Sequence, residues 1–141
     1  MKKLYTLVTL GVTFILCGCS KDFLKKYDSR IVGTWHISNI NRIGFGGNTN
    51  NLPFADGSFT FRDDGSLIYL NSANQSFNGS WDIEKKVIND QTIRGLQVTA
   101  VNFTNQQVIS EYYDDMNFVS TNHFKADLIG TSRTYVTHFR R

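Results

Sequence analysis

Ser58-Phe59-Thr60-Phe61-Arg62-Asp63-Asp64-Gly65-Ser66-Leu67-Ile68-Tyr69-Leu70 reads as a β-hairpin. Phe59 and Phe61 share one face of an extended strand, residues 62–66 form a tight turn, and Leu67–Leu70 returns. An Asp-Gly pair between apolar runs is the strongest short-range hairpin signal, because glycine supplies the positive φ that the turn demands. Period-two alternation continues on both sides. Gly33, Trp35 and Ile37 face one way within 31–39, with Thr34, His36 and Ser38 facing the other. Phe77, Gly79, Trp81 and Ile83 fall on one face of a further strand.

More strands are expected at Leu96–Phe103, Gln107–Tyr113, Met116–His123 and Thr131–Arg140, punctuated by Asn102–Gln106, Asp114-Asp115 and the residues around Gly130. No window of helical period reaches ten residues. The expectation is therefore all-β: a small antiparallel meander of eight strands, closed as a barrel or folded as a sandwich. Closure is favoured because no strand carries edge protection, and the only proline, Pro53, falls in a loop. That loop, 41–56, is rich in Gly and Asn yet holds Ile43, Phe45, Leu52 and Phe54. Loops this long are often functional, and its apolar residues suggest a lid.

The chain has 141 residues, 40% apolar and 19% charged. That is one domain, too apolar to be disordered. Its first residues are of another kind. Met1-Lys2-Lys3 is a positive start, Leu4 to Leu16 is an apolar run too short to span a bilayer, and Leu16-Cys17-Gly18-Cys19 precedes polar Ser20-Lys21-Asp22. This resembles the lipobox of bacterial lipoproteins, with an aliphatic residue three before a cysteine and cleavage just before it; Cys17 stands where Ala or Ser is commoner. The resemblance implies a signal peptide over 1–18, acylation of Cys19 by diacylglycerol and fatty acid such as palmitate, and a lipidated tether over 19–30. Two or three acyl chains make such anchoring effectively permanent. Ser20 is not the aspartate that favours inner-membrane retention, so the expected address is the outer membrane, on its periplasmic or surface face. In the tether, Lys21, Lys25, Lys26 and Arg30 either rest on anionic head groups or belong to a short solvated linker.

From residue 19 onward, 13 Lys and Arg balance 12 Asp and Glu. That removes the electrostatic case for nucleic-acid binding. Once Cys17 is cleaved away and Cys19 acylated, the domain has no thiol for a disulfide or a metal.

Gly33-Thr34-Trp35, the Phe59/Phe61 strand with Asp64-Gly65, Gly79-Ser80-Trp81, and Arg140-Arg141 after Tyr135 and Phe139 together resemble the bacterial lipocalin-like (calycin) lipoproteins. The likeness covers the 31–141 domain. It implies a closed barrel whose first and last strands pair, with Arg140 or Arg141 packed on Trp35 as a cation–π closure. It also implies a lid in the long loop.

An eight-stranded barrel either holds one small ligand or is filled by its side chains. Trp35, Phe59, Phe61, Tyr69, Trp81, Val98 and Phe118 are the candidate interior, with Phe45 and Phe54 as lid. Two functions follow: non-covalent binding of a small, partly apolar ligand, or a non-enzymatic accessory role in an outer-membrane complex through the outer surface. No catalytic constellation stands out. Asp63-Asp64 and Asp114-Asp115 occupy turns, and Glu111 is the one carboxylate in a telling place, within a strand. His36 and His138 would approach each other if the end strands pair, but two imidazoles alone make a poor metal site. No metal or cofactor is expected.

Overall fold

The computed structural model describes residues 26–44, 52–130 and 133–141. A single turn of helix, α1 (Tyr27–Ile31), leads into nine strands: β1 (Gly33–Gly44), β2 (Ser58–Phe61), β3 (Ser66–Leu70), β4 (Ser76–Ile88), β5 (Gln91–Asn102), β6 (Gln107–Tyr113), β7 (Asp115–Ser120), β8 (His123–Ile129) and β9 (Arg133–Arg140). All pair antiparallel in one sheet, ordered β6-β5-β4-β3-β2-β1-β9-β8-β7.

The β2–β3 hairpin is the one the sequence announces. Arg62 N–H donates to the Ser66 carbonyl, Gly65 N–H donates to the Arg62 carbonyl, and the Asp64 carboxylate accepts from Ser66 N–H at 2.8 Å. Ser66, through its side chain first and its N–H second, holds the Asp64 carboxyl below its ordinary pKa.

Two expectations are corrected. Among the described residues there are nine strands and not eight, and the ladder does not close. β6 and β7 are consecutive in sequence, joined through Asp114, yet they terminate opposite ends of the sheet with no ladder between them. The sheet still wraps: Tyr113 on β6 lies 6.1 Å, ring to ring, from Phe139 on β9. Those strands stand six places apart in the order, about 29 Å if the sheet were flat. Asp114, the junction between β6 and β7, extends the β7–β8 pairing, donating its N–H to the Asp127 carbonyl at 2.7 Å and accepting from Ile129 N–H at 3.1 Å.

The missed strand is β8. The segment read as one strand, Met116–His123, is a hairpin turning at Thr121-Asn122, and Phe124, Ala126 and Leu128 alternate inward on the return. Ala and Asp are poor strand formers, so this run carries little signal on its own. β1 also runs five residues further than expected, to Gly44, because β9 offers it a partner out to Arg133. Half the expected loop is thus strand or belongs to the short turns at 52–57.

Two glycines are dictated by this packing. Gly33 has φ +125°, outside the range of a side-chain-bearing residue. A Cβ on Gly79 would lie 1.8 Å from the Thr99 carbonyl oxygen and 2.6 Å from Ala100 Cα.

Candidate functional site

The inner face of the sheet gathers nearly every residue singled out for the interior. Trp35, Phe59, Phe61, Tyr69, Val98 and Phe118 are buried, and Trp81 is half-buried against them. They meet ring to ring. Trp35 lies 6.1 Å from Phe118, Phe59 lies 5.9 Å from Phe61 and 4.7 Å from Tyr69, and Phe61 lies 5.7 Å from Trp81. Separations of about 4.5–7 Å are those of packed aromatic pairs, so side chains occupy the space between these residues. Phe54 is 2% exposed and meets Phe59 and Tyr69 at 5.3 and 4.9 Å. It is a loop residue inserted into the core. Phe45 and Cys19 lie outside the described residues.

Sequence reasoning left out Phe77, Tyr113, Phe124 and Phe139. Phe124 and Phe139 stack at 4.4 Å, and Phe124 meets Trp35 at 4.7 Å. Phe139 was legible from its alternation with Tyr135 and Thr137; Phe124 was hidden with β8.

Polar groups punctuate this interior. Both indoles donate to backbone, Trp35 Nε1 to the Ile31 carbonyl at 2.6 Å and Trp81 Nε1 to the Arg62 carbonyl at 3.0 Å. The Tyr69 hydroxyl donates to the Asp56 carbonyl at 3.0 Å, and burial, with Asp56 beside it, pushes its pKa up. Glu111 stands opposite Val98 on β5, between buried Ile109 and Tyr113, so its carboxylate belongs to the inner face. Burial raises its pKa, the neighbouring Asp114 adds to the rise, and the Tyr112 N–H opposes it.

Cations cover one end of the core. Arg141, and not Arg140, lies over Trp35, its guanidinium 4.2 Å from the ring. Its Nη2 also donates to the Arg30 and Val32 carbonyls. Arg140 is exposed and paired in the ladder with His36 and His123. Arg30 lies 4.0 Å over Phe118, and Arg94 lies 3.8 Å over Tyr27. Tyr27 in turn meets Phe118 at 5.2 Å. Helix α1 is thereby part of the domain's packing.

Beside α1 is a hollow of about 470 Å³, lined among the described residues by Lys26, Tyr27, Arg30, Ile83, Lys85 and Arg94, with Asp28 the single acid among them. It lies outside the candidate interior. The outer face of β1, β8 and β9 carries the histidines. His138 meets His123, Nδ1 to Nε2 at 3.0 Å, and Asn41 at 3.1 Å. Its partner is not His36, because the β1–β9 register sets His36 opposite Arg140 and Asn39 opposite His138. Among the described residues, no three His, Cys, Asp or Glu side chains are placed to hold a metal ion, and no helix is long and apolar enough to cross a membrane.

Comparisons of the chain with protein-family models, with curated proteins and with solved structures returned no match.

Proposed function

We propose that the chain is a lipoprotein, acylated at Cys19 and held at the outer membrane, whose domain acts without catalysis as an accessory subunit through its outer surface. One observation carries this reading over ligand binding: Trp35, Phe59, Phe61, Tyr69 and Phe118, the residues that would line a pocket, are buried against one another. A core filled in this way is a scaffold, and recognition then falls to what the scaffold displays. The lipobox at Leu16–Cys19 supports the anchor.

A second reading keeps a small, partly apolar ligand. It draws on Phe54, which reaches the core from a loop and not from a strand. An apolar molecule replacing that ring would sit on Phe59 and Tyr69.

Thermal unfolding of the acylated protein in the presence of lipid, haem, sugar and peptide extracts separates the two. A ligand at about 100 times its Kd adds about 2.7 kcal/mol of stability. The accessory reading expects no reproducible shift from any extract, and site-specific cross-links from exposed Phe103 or Val108 to a single outer-membrane protein. A shift from one extract, enlarged by Phe54→Ala in a still-folded variant because the ring no longer competes for its place on Phe59 and Tyr69, would install the ligand reading instead. Intact mass of the mature chain tests the anchor by itself.

A further inference from the structure

We infer that the hollow between α1 and the outer half of the β4–β5 hairpin is a cradle for the phosphate groups of anionic lipids, which seats the domain on the membrane surface. The inference deepens the anchoring reading above and rests on it.

The register of β4 and β5 builds the cradle. Antiparallel partners share a face, so the inner face of this hairpin reads outward as Trp81 with Val98, Ile83 with Leu96, Lys85 with Arg94, and Val87 with Thr92. The first two pairs belong to the core. One step further the same face turns cationic, and α1 lays Lys26 and Arg30 across from it. Four cations therefore surround the hollow against one carboxylate, Asp28. The acids of this hairpin lie elsewhere. Asp82 and Glu84 are on the opposite face, where Glu84 meets Lys86 at 3.6 Å, and Asp90 is in the turn. Arg94 is held by Tyr27 at its ring face, which leaves the edge of the guanidinium fork for a phosphate.

Two observations select a lipid surface over a soluble phosphate. Beyond the cations the hairpin carries Val87, 68% exposed, and exposed Ile88, just before its Asn89-Asp90 turn. Exposed apolar side chains next to a ring of cations suit the boundary between head groups and acyl chains. The second is reach. Six residues lie between Cys19 and Lys26, and the seven steps that join them span at most about 25 Å. Acylation at Cys19 therefore keeps this end of the domain within that distance of the bilayer.

The test uses the acylated full chain in phosphatidylcholine vesicles with and without phosphatidylglycerol. Val87→Cys, or Phe103→Cys as reference, carries a fluorophore, and lipids with head-group nitroxides quench it. Phe103 is equally exposed and follows the opposite end of β5, about 40 Å from the tip. Expected is several-fold stronger quenching at 87 than at 103 with phosphatidylglycerol present, collapsing when Lys26→Glu and Lys85→Glu are combined. Equal quenching at both positions, or a difference indifferent to the charge reversals, overturns the cradle. If intact mass finds Cys19 unacylated, the anchor reading fails separately. The same chain is then sedimented with phosphatidylglycerol vesicles. Salt-sensitive binding that the double reversal weakens at least about tenfold keeps the cradle, and its absence ends it.

Discussion

β4 and β5 are one ladder with two fates. They pair without interruption from Asn78 opposite Val101 to Ile88 opposite Gln91. In the inner half β3 flanks β4 from Ser76 to Ser80 and β6 flanks β5 from Leu96 to Asn102. Phe77, Leu96, Val98 and Ala100 are buried there. The outer half, 84–95, has no third strand beside it, and Val87 and Ile88 stand exposed. Backbone hydrogen bonds alone leave a two-stranded ribbon marginal; burial makes the inner half rigid. The lesson is a division of labour along a single pair of strands, with stability in the half that side chains cover and contact with surroundings in the other.

The two glycines of this hairpin test that division most sharply. Gly79→Ala drives its Cβ into the Thr99 backbone, which cannot yield without moving β5. We expect a loss of about 3 kcal/mol or more in urea unfolding. Gly95→Ala meets only the ring and hydroxyl of Tyr112, whose side chain can swing, and should cost less than about 1 kcal/mol. Next in size, Leu96→Ala removes a buried side chain and should cost about 2–5 kcal/mol, whereas Val87→Ala should stay within about 0.5 kcal/mol. Smaller still, Asn89 and Asp90 turn the hairpin with φ of 49° and 63°. Asn89→Ala should cost about 1–2 kcal/mol, felt as faster amide exchange over 84–95 with the global midpoint unmoved.

The smallest effect is a titration outside the hairpin. Burial raises the Glu111 pKa in the folded protein. The folded state thus holds its proton more tightly than the unfolded chain, so this contribution is full below the unfolded pKa and is lost as pH rises through the folded one. Glu111→Gln should therefore gain on the parent protein as pH rises above the ordinary glutamate pKa of about 4, by less than about 1 kcal/mol because the group keeps water access. A melting series whose gap does not widen with pH would refute the inward placement.

The sequence made the all-β class legible wherever a turn residue and an aromatic alternation coincide, as at Asp64-Gly65 with Phe59 and Phe61. It made most of the interior legible too, because Trp35, Phe59, Phe61 and Tyr69 obey period two. β8 escaped for the converse reason: Ala126 and Asp127 mute the alternation, and Thr121-Asn122 is a weak turn signal. The outer half of β4–β5 escaped because strand patterns register half-burial, and a ribbon exposed on both faces has none to register. The open seam could not be read either. Closure depends on whether the last hydrogen bonds between β6 and β7 form, and no side-chain pattern encodes that. The cationic hollow needed register, since Lys85 and Arg94 become neighbours only when the strands pair.

The β1–β9 pairing sets an order of events. His36 finds Arg140 and Gly44 finds Arg133, so the strand nearest the beginning waits for the strand at the end. Contacts that join such distant parts of a chain form slowly. Trp35 therefore lacks the guanidinium that caps it until Arg141 has left the ribosome. A sheet whose first strand can be completed only by its last cannot set early. During synthesis the chain remains extensible until its last strands have emerged.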